Sequence, residues 1–187
     1  FTPEHAFDTG ALRIRDEMLA AFPRNPDEIK RHIAEYYAMI THLDDAFGSL
    51  VAALDEKGEL DNTIIVFAGD NGLAVGQHGL FGKQNCYEHS VRVPLVFAGP
   101  GVPKGERSTA YAYLFDIFPT LCGLTQTAVP DSVEGNNLLP CMQDSDAPLR
   151  DTLYFAYTDL HRAVKDRGYK LIEYAVEGRD RQTQLFD

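Results

Sequence analysis

Asp70 and Asn71 stand side by side after a continuous apolar run, and His78 and Lys83 follow within a stretch punctuated by glycines at 69, 72, 76, 79 and 82. A carboxylate beside a carboxamide offers two adjacent hard oxygen donors, the set that suits Ca²⁺ or Mg²⁺ and not zinc. A divalent cation together with an ammonium neutralises the non-bridging oxygens of a transferring sulfuryl or phosphoryl group. An imidazole nearby can hold or protonate the leaving oxygen. The plain alternative for the first pair is a turn, since Asp-Asn-Gly is among the commonest turn sequences. A single histidine or lysine in a loop is ordinarily a surface residue. The sequel shifts the balance towards a site: a two-residue hairpin turn is followed by an alternating strand, and residues 73–79 (LAVGQHG) do not alternate.

The elements that must position these residues can be read around them. Asn25 as N-cap, Pro26 at the first helical position and Glu28 three after the cap mark a helix start. Apolar residues then recur at Ile29, Ile33, Tyr36, Ile40, Leu43, Phe47, Leu50 and Leu54, always three or four apart, and Lys57-Gly58 suits a helix end. A helix of that length needs a large surface beneath its stripe. Residues 64–68 (IIVFA) read as a strand buried on both faces and 93–98 as a second such strand. Asp70 and Asn71 thus fall at the carboxyl end of a strand, where ligands bind in open α/β sheets. The intervening 69–92 is longer than a structureless connection usually is, which points either to function or to a misassigned element.

Asp116 reads as the cap of a short helix through Ile117, Leu121 and Cys122, stopping at Gly123, and 125–149 reads as turn-rich. Short strands over 153–157, 162–165, 169–174 and 183–186 form an antiparallel meander. Its last strand has just begun at Asp187, which reads as truncation. The fold class is α/β, a layered mixed sheet flanked by helices with a small C-terminal antiparallel β subdomain.

With 28 acidic and 17 basic side chains the net charge is −11, and no basic patch interrupts it. Nucleic acid is therefore not an expected partner. An apolar content of 44% with 11% aromatics indicates a folded chain. No apolar run reaches the roughly 18 residues that a membrane span requires. Cys86, Cys122 and Cys141 lie far apart and form no C-x-x-C pair, so neither a zinc site nor a disulfide framework is expected. No signal-like segment is seen, and the compartment stays open between cytoplasm and export.

Four segments together carry a family resemblance: 35–45 (EYYAMITHLDD), 61–72 (DNTIIVFAGDNG), 76–83 (GQHGLFGK) and 87–95 (YEHSVRVPL). In order and spacing they resemble the C-terminal half of type I sulfatases, of the alkaline phosphatase superfamily. The likeness runs from about Glu28 to Pro103 and resumes at 162–165 and 169–172. It implies that 1–148 is the C-terminal half of a sulfatase catalytic domain and 149–187 the start of the family's C-terminal antiparallel subdomain. It also implies that Asp70 and Asn71 are two Ca²⁺ ligands, with Mg²⁺ the alternative ion. Lys83, 13 residues past the aspartate, matches the lysine that contacts the sulfate, and His78 matches a histidine facing the substrate. Glu88 and Arg92 are expected to hold the loop to the sheet by buried charge pairing. His32, His42 and His89 receive no role.

The family's nucleophile is a formylglycine made within C/S-x-P-x-R, a motif these 187 residues lack. It is expected upstream of Phe1, together with an aspartate pair and an acid histidine. The resemblance therefore implies hydrolysis of a sulfate ester of a small molecule or saccharide, with the isolated chain inactive and prone to self-association through exposed apolar faces. Export to the periplasm or outside follows from family habit alone. A phosphonate or phosphodiester hydrolase of the same superfamily, or a non-catalytic interaction module, is the alternative.

Overall fold

A computed structural model describes residues 1–144, 147 and 149–187, and in it the chain divides into two compact units. One comprises residues 1–52, 71–93 and 154–187, and the other 53–70 and 94–153.

The first unit contains most of α1 (Pro26–Glu56). The start signal works as read: Asn25 Oδ1 accepts the amides of Asp27 (2.9 Å) and Glu28 (3.3 Å). At the other end Gly58 takes φ +71°, and the amides of Gly58 and Glu59 donate back to Asp55 O and Leu54 O, both at 2.9 Å. This is the glycine-terminated ending that the left-handed position favours. The stripe is covered only in part. Ile29 is buried and Ile33, Tyr36, Phe47 and Leu54 are half-buried, while Ile40, Leu43 and Leu50 are exposed.

From Tyr154 onward the same unit holds the antiparallel meander, β3 (Thr152–Tyr157), β4 (His161–Asp166), β5 (Tyr169–Tyr174) and β6 (Gln182–Phe186), in that spatial order. Arg167 and Gly168, both at positive φ, make the two-residue turn that pairs Asp166 with Tyr169. Every second residue of β5, namely Lys170, Ile172 and Tyr174, faces inward. Ile172 and Tyr174 pack with Ala163, Ala74, Leu80, Cys86 and Tyr87, and Phe7, Leu12, Phe155 and Phe186 close the cluster. Lys170 is tolerated on this face because its Nζ donates to Glu88 Oε1 at 3.0 Å and lies 4.6 Å from the centre of the Phe155 ring.

In the second unit β1 (Ile65–Ala68) and β2 (Leu95–Ala98) pair antiparallel, Ile65 opposite Ala98 and Ala68 opposite Leu95. The expected burial on both faces is not found: Ile65 and Val66 are half-buried, and Phe67 and Ala68 are exposed. The reason is that among the described residues these two strands form a sheet of two, with no third strand in their ladder. α3 (Ile117–Leu124) forms where expected, but Asp116 does not cap it. Its carboxylate instead accepts the amides of Tyr113 (2.7 Å) and Asn136 (2.8 Å) and both terminal nitrogens of Arg150 (2.5 and 2.9 Å). A short helix, α4 (Leu139–Gln143), lies inside the stretch read as turns.

Candidate functional site

Asp70 is exposed, two residues past β1, and closes the second unit's segment 53–70. Asn71, half-buried, opens the first unit's segment 71–93, which also carries His78 and Lys83. The Asn71 amide nitrogen donates to Gly72 O at 3.1 Å, so its oxygen is the atom turned away from that carbonyl. A carboxylate and an amide oxygen fit a hard cation. Ca²⁺ takes six to eight oxygens, so two side chains alone would supply only part of a shell. Among the described residues no group of three or more His, Cys, Asp or Glu side chains gathers as a metal set.

The glycine-rich segment is more ordered than a loop of that composition suggests. Gly72 N donates to Ser90 O at 2.9 Å, and a Cβ at Gly72 would sit 1.9 Å from His89 O, so only glycine permits this approach to α2 (Glu88–Val91). Ala74, Val75 and Gly76 then donate to Gly82 O, Phe81 O and Leu80 O at 3.0, 3.3 and 2.7 Å. The segment is thus a small antiparallel finger, and Gln77 and His78 occupy its tip. Val75 and His78 both have positive φ, +43° and +53°. Such conformations are costly away from glycine and collect at functional positions.

His78 is exposed, but one face of its ring stacks on Tyr87 with centroids 4.0 Å apart and planes 11° apart. Tyr87 is a fixed platform. Its hydroxyl lies 2.8 Å from His5 Nε2 and donates to Gln184 Oε1 at 2.5 Å, and Tyr174 donates to the same oxygen at 3.0 Å. The covered ring face and the nearby His5 hold the His78 imidazole below its ordinary pKa, so it is neutral near pH 7. Lys83, half-buried, follows five residues on, its amide donating to Gln84 Oε1 at 3.1 Å. The finger carries an uncharged imidazole, which can hydrogen-bond an oxygen, and an ammonium, which can neutralise an oxyanion.

Two features are not legible in the sequence. One is His89, whose ring nitrogens are both buried and without a hydrogen-bond partner among the described residues, 5.8 Å from His78 between ring centroids. Burial, then His78 and Lys170, lower its pKa to about 4. A histidine depressed in the folded state stabilises above its unfolded pKa and loses that contribution as the pH falls towards its folded value. The expected outcome is a loss of stability between about pH 6.5 and 4 that His89→Phe diminishes, checked by urea unfolding across that range. An unaltered acid limb in the variant would refute it. The other feature is a group of Asp16, Glu17 and Arg24 gripping the segment around Lys83. Glu88 forms the expected charge pairs, with Lys165 (2.9 Å) and Lys170 (3.0 Å) of the meander, but its side chain is partly exposed and not buried. Partial desolvation works to raise its pKa, but those two ammonium groups hold it below the usual carboxylate range. Arg92 is exposed and forms no ion pair among the described residues, a correction to the pairing expected of it. The apolar cleft of about 730 Å³ in the second unit, lined by Leu114, Phe115, Phe118 and Val133, contains none of the four candidate residues.

Comparison with known proteins agrees across the chain. The family model described as Sulfatase matches residues 5–127, and that described as N-sulphoglucosamine sulphohydrolase, C-terminal, matches 76–187. An arylsulfatase of Clostridium perfringens is 34% identical over 170 residues, covering 87% of this chain and 35% of the relative. A solved structure of a protein in complex with its substrate D-glucosamine-2-N,6-O-disulfate superposes with a TM-score of 0.76 at 27% identity, over 85% of this chain and 34% of that one. The phosphonate monoester hydrolase of Agrobacterium radiobacter superposes with a TM-score of 0.78 at 25% identity, over 95% and 40%. The chain spans about a third of the length of the curated relatives it matches.

Proposed function

Because this chain belongs to the sulfatase family, we propose that it forms part of a hydrolase cleaving a sulfate ester carried by a saccharide. The observation that carries the reading is the finger 71–83, where Asn71, a strained and neutral His78 and Lys83 come on one ordered segment inside the span matched by the family model. Asp70 and Asn71 would hold Ca²⁺, or Mg²⁺, through hard oxygens. A bound ion there supplies a Lewis acid that draws charge from the sulfate's non-bridging oxygens. Lys83 binds one of those oxygens and stabilises the charge that grows on them. His78, uncharged on its Tyr87 platform, contacts the substrate and holds the leaving oxygen by a hydrogen bond.

The nucleophile is not supplied by these residues. Cys86, Cys122 and Cys141 are all buried, and none stands in C/S-x-P-x-R. The isolated chain is therefore expected to bind its ion weakly and turn nothing over. The saccharide assignment draws on the glucosamine disulfate complex of the structural neighbour. Phosphonate hydrolysis is the second reading, favoured by the similarity to the phosphonate monoester hydrolase.

Calorimetric titration of Ca²⁺ into the 187-residue chain and its Asp70→Ala variant tests the metal role. Binding by the parent alone is expected, and equal heats in the two would refute it. Parallel rates on sulfate and phosphonate esters, measured on a polypeptide that also carries the nucleophile motif, decide between the two reactions.

A further inference from the structure

The residues on either side of Lys83 are held by two consecutive carboxylates that lie more than sixty residues away in sequence. Glu17 accepts the amide of Phe81 through Oε2 and that of Gly82 through Oε1, both at 2.8 Å. These are the two residues before Lys83. Asp16 Oδ2 accepts Gln84 Nε2, from the residue after it, at 2.8 Å. Gln84 Oε1 in turn accepts the Lys83 amide at 3.1 Å. Gly82 has no room for a side chain: a Cβ there would lie 2.9 Å from Asp16 Cβ and 3.1 Å from Glu17 Oε1.

The grip is anchored by charge. Glu17 is 3% exposed and Arg24 2%, and the two are ion-paired. Arg24 also donates to Gly79 O (3.1 Å), Glu17 O (2.8 Å) and Ala20 O (2.5 Å). Burying such a pair carries a desolvation cost, and apolar side chains of similar volume would often serve stability as well. What an apolar pair cannot supply is two charge-assisted acceptors for the amides at 81 and 82. The Asp16 carboxyl lies below its ordinary range through Gln84 first, then Arg15, and Lys83 is among the charges acting on it.

We propose that Asp16, Glu17 and Arg24 are positioning residues for Lys83, fixing the backbone at 81 and 82 directly and at 83 through the Gln84 side chain, so that the ammonium is presented in one direction. What that direction serves rests on the hydrolase reading above; the grip itself does not.

The test uses the 187-residue chain, amide hydrogen exchange, and NMR titration with inorganic sulfate. Glu17→Gln keeps the size and one acceptor but removes the charge. Gln84→Ala cuts the Asp16 tether without touching the buried pair, and serves if the first variant does not fold. Exchange is expected to accelerate about tenfold or more at Phe81 and Gly82 in Glu17→Gln, and at Lys83 in Gln84→Ala, with Ile172 unchanged. The sulfate-induced shift of the Lys83 resonances should weaken in both, at temperatures where the core stays protected, which a merely structural role would not produce. Unchanged exchange at 81–84 overturns the proposal, as does a full sulfate response from a loosened segment. A parent chain whose Lys83 ignores sulfate counts against the hydrolase reading, and the exchange rates alone then decide the grip.

Discussion

Lys83→Ala is expected to lower kcat by about 10²–10³-fold in a polypeptide that also supplies the nucleophile, the range seen when a single preorganised stabiliser of developing negative charge is removed. Attack of an anionic nucleophile on sulfur brings more negative charge to the reacting group than the bound ester carries, so an ammonium aimed at it acts more strongly on the transition state than on bound substrate. The loss should therefore fall on kcat more than on KM. Little of it should come from unfolding, because the grip on this segment runs through the backbone amides of Phe81 and Gly82 and the side chain of Gln84, all untouched by the substitution. Steady-state kinetics with an aryl sulfate, alongside thermal unfolding of the same preparations, separates the two effects. A rate within a few-fold of the parent at equal stability removes Lys83 from the chemistry. Lys83→Arg, which keeps the charge but spreads it over a longer planar fork, should recover only part of the rate.

The features legible in the sequence are those whose cause is local. Asn25 caps α1 through the amides of Asp27 and Glu28, and Gly58 ends it, by interactions that span no more than five residues. The start of β5 is legible because Arg167-Gly168 is a turn by its own backbone preferences. The finger 71–83 reads as unusual but not as ordered, since the three rungs that close it pair residues four to eight apart around glycines whose positive φ no periodicity reveals. Asp16, Glu17 and Arg24 are hidden for another reason. In a chain with 28 acidic residues, nothing distinguishes a carboxylate destined for burial from a solvated one until its partner more than sixty positions away is known. The exposure of Phe67, Ile40 and Leu43 is equally hidden, because an apolar run states what a segment would bury, and not whether these 187 residues contain the surface to bury it.

Asp116 illustrates the same limit with a larger consequence for stability. A local reading makes it the cap of α3, where its loss would cost about 1 kcal/mol. In the structure its side chain is fully buried and takes four hydrogen bonds, from Tyr113 and Asn136 amides and twice from Arg150, itself largely buried. Asp116→Ala would leave a guanidinium and two amides without their acceptor, and removing one partner of a buried ion pair typically costs about 3–5 kcal/mol. Asp116→Asn keeps an acceptor but offers an amide where Arg150 needs a carboxylate, so an intermediate loss is expected. The pH dependence has a definite sign. Burial works to raise the Asp116 pKa but is outweighed by Arg150 and then by the two amides, so the folded-state value lies below the ordinary one. The carboxylate's contribution is thus present above the ordinary carboxylate range and is lost as the pH falls through the depressed value. Urea unfolding of the parent and Asp116→Asn at neutral and strongly acidic pH measures this directly: the two midpoints should differ widely at neutrality and converge in acid. A difference in midpoint that does not shrink on acidification would show that the carboxylate's charge is not what holds Tyr113, Asn136 and Arg150 together.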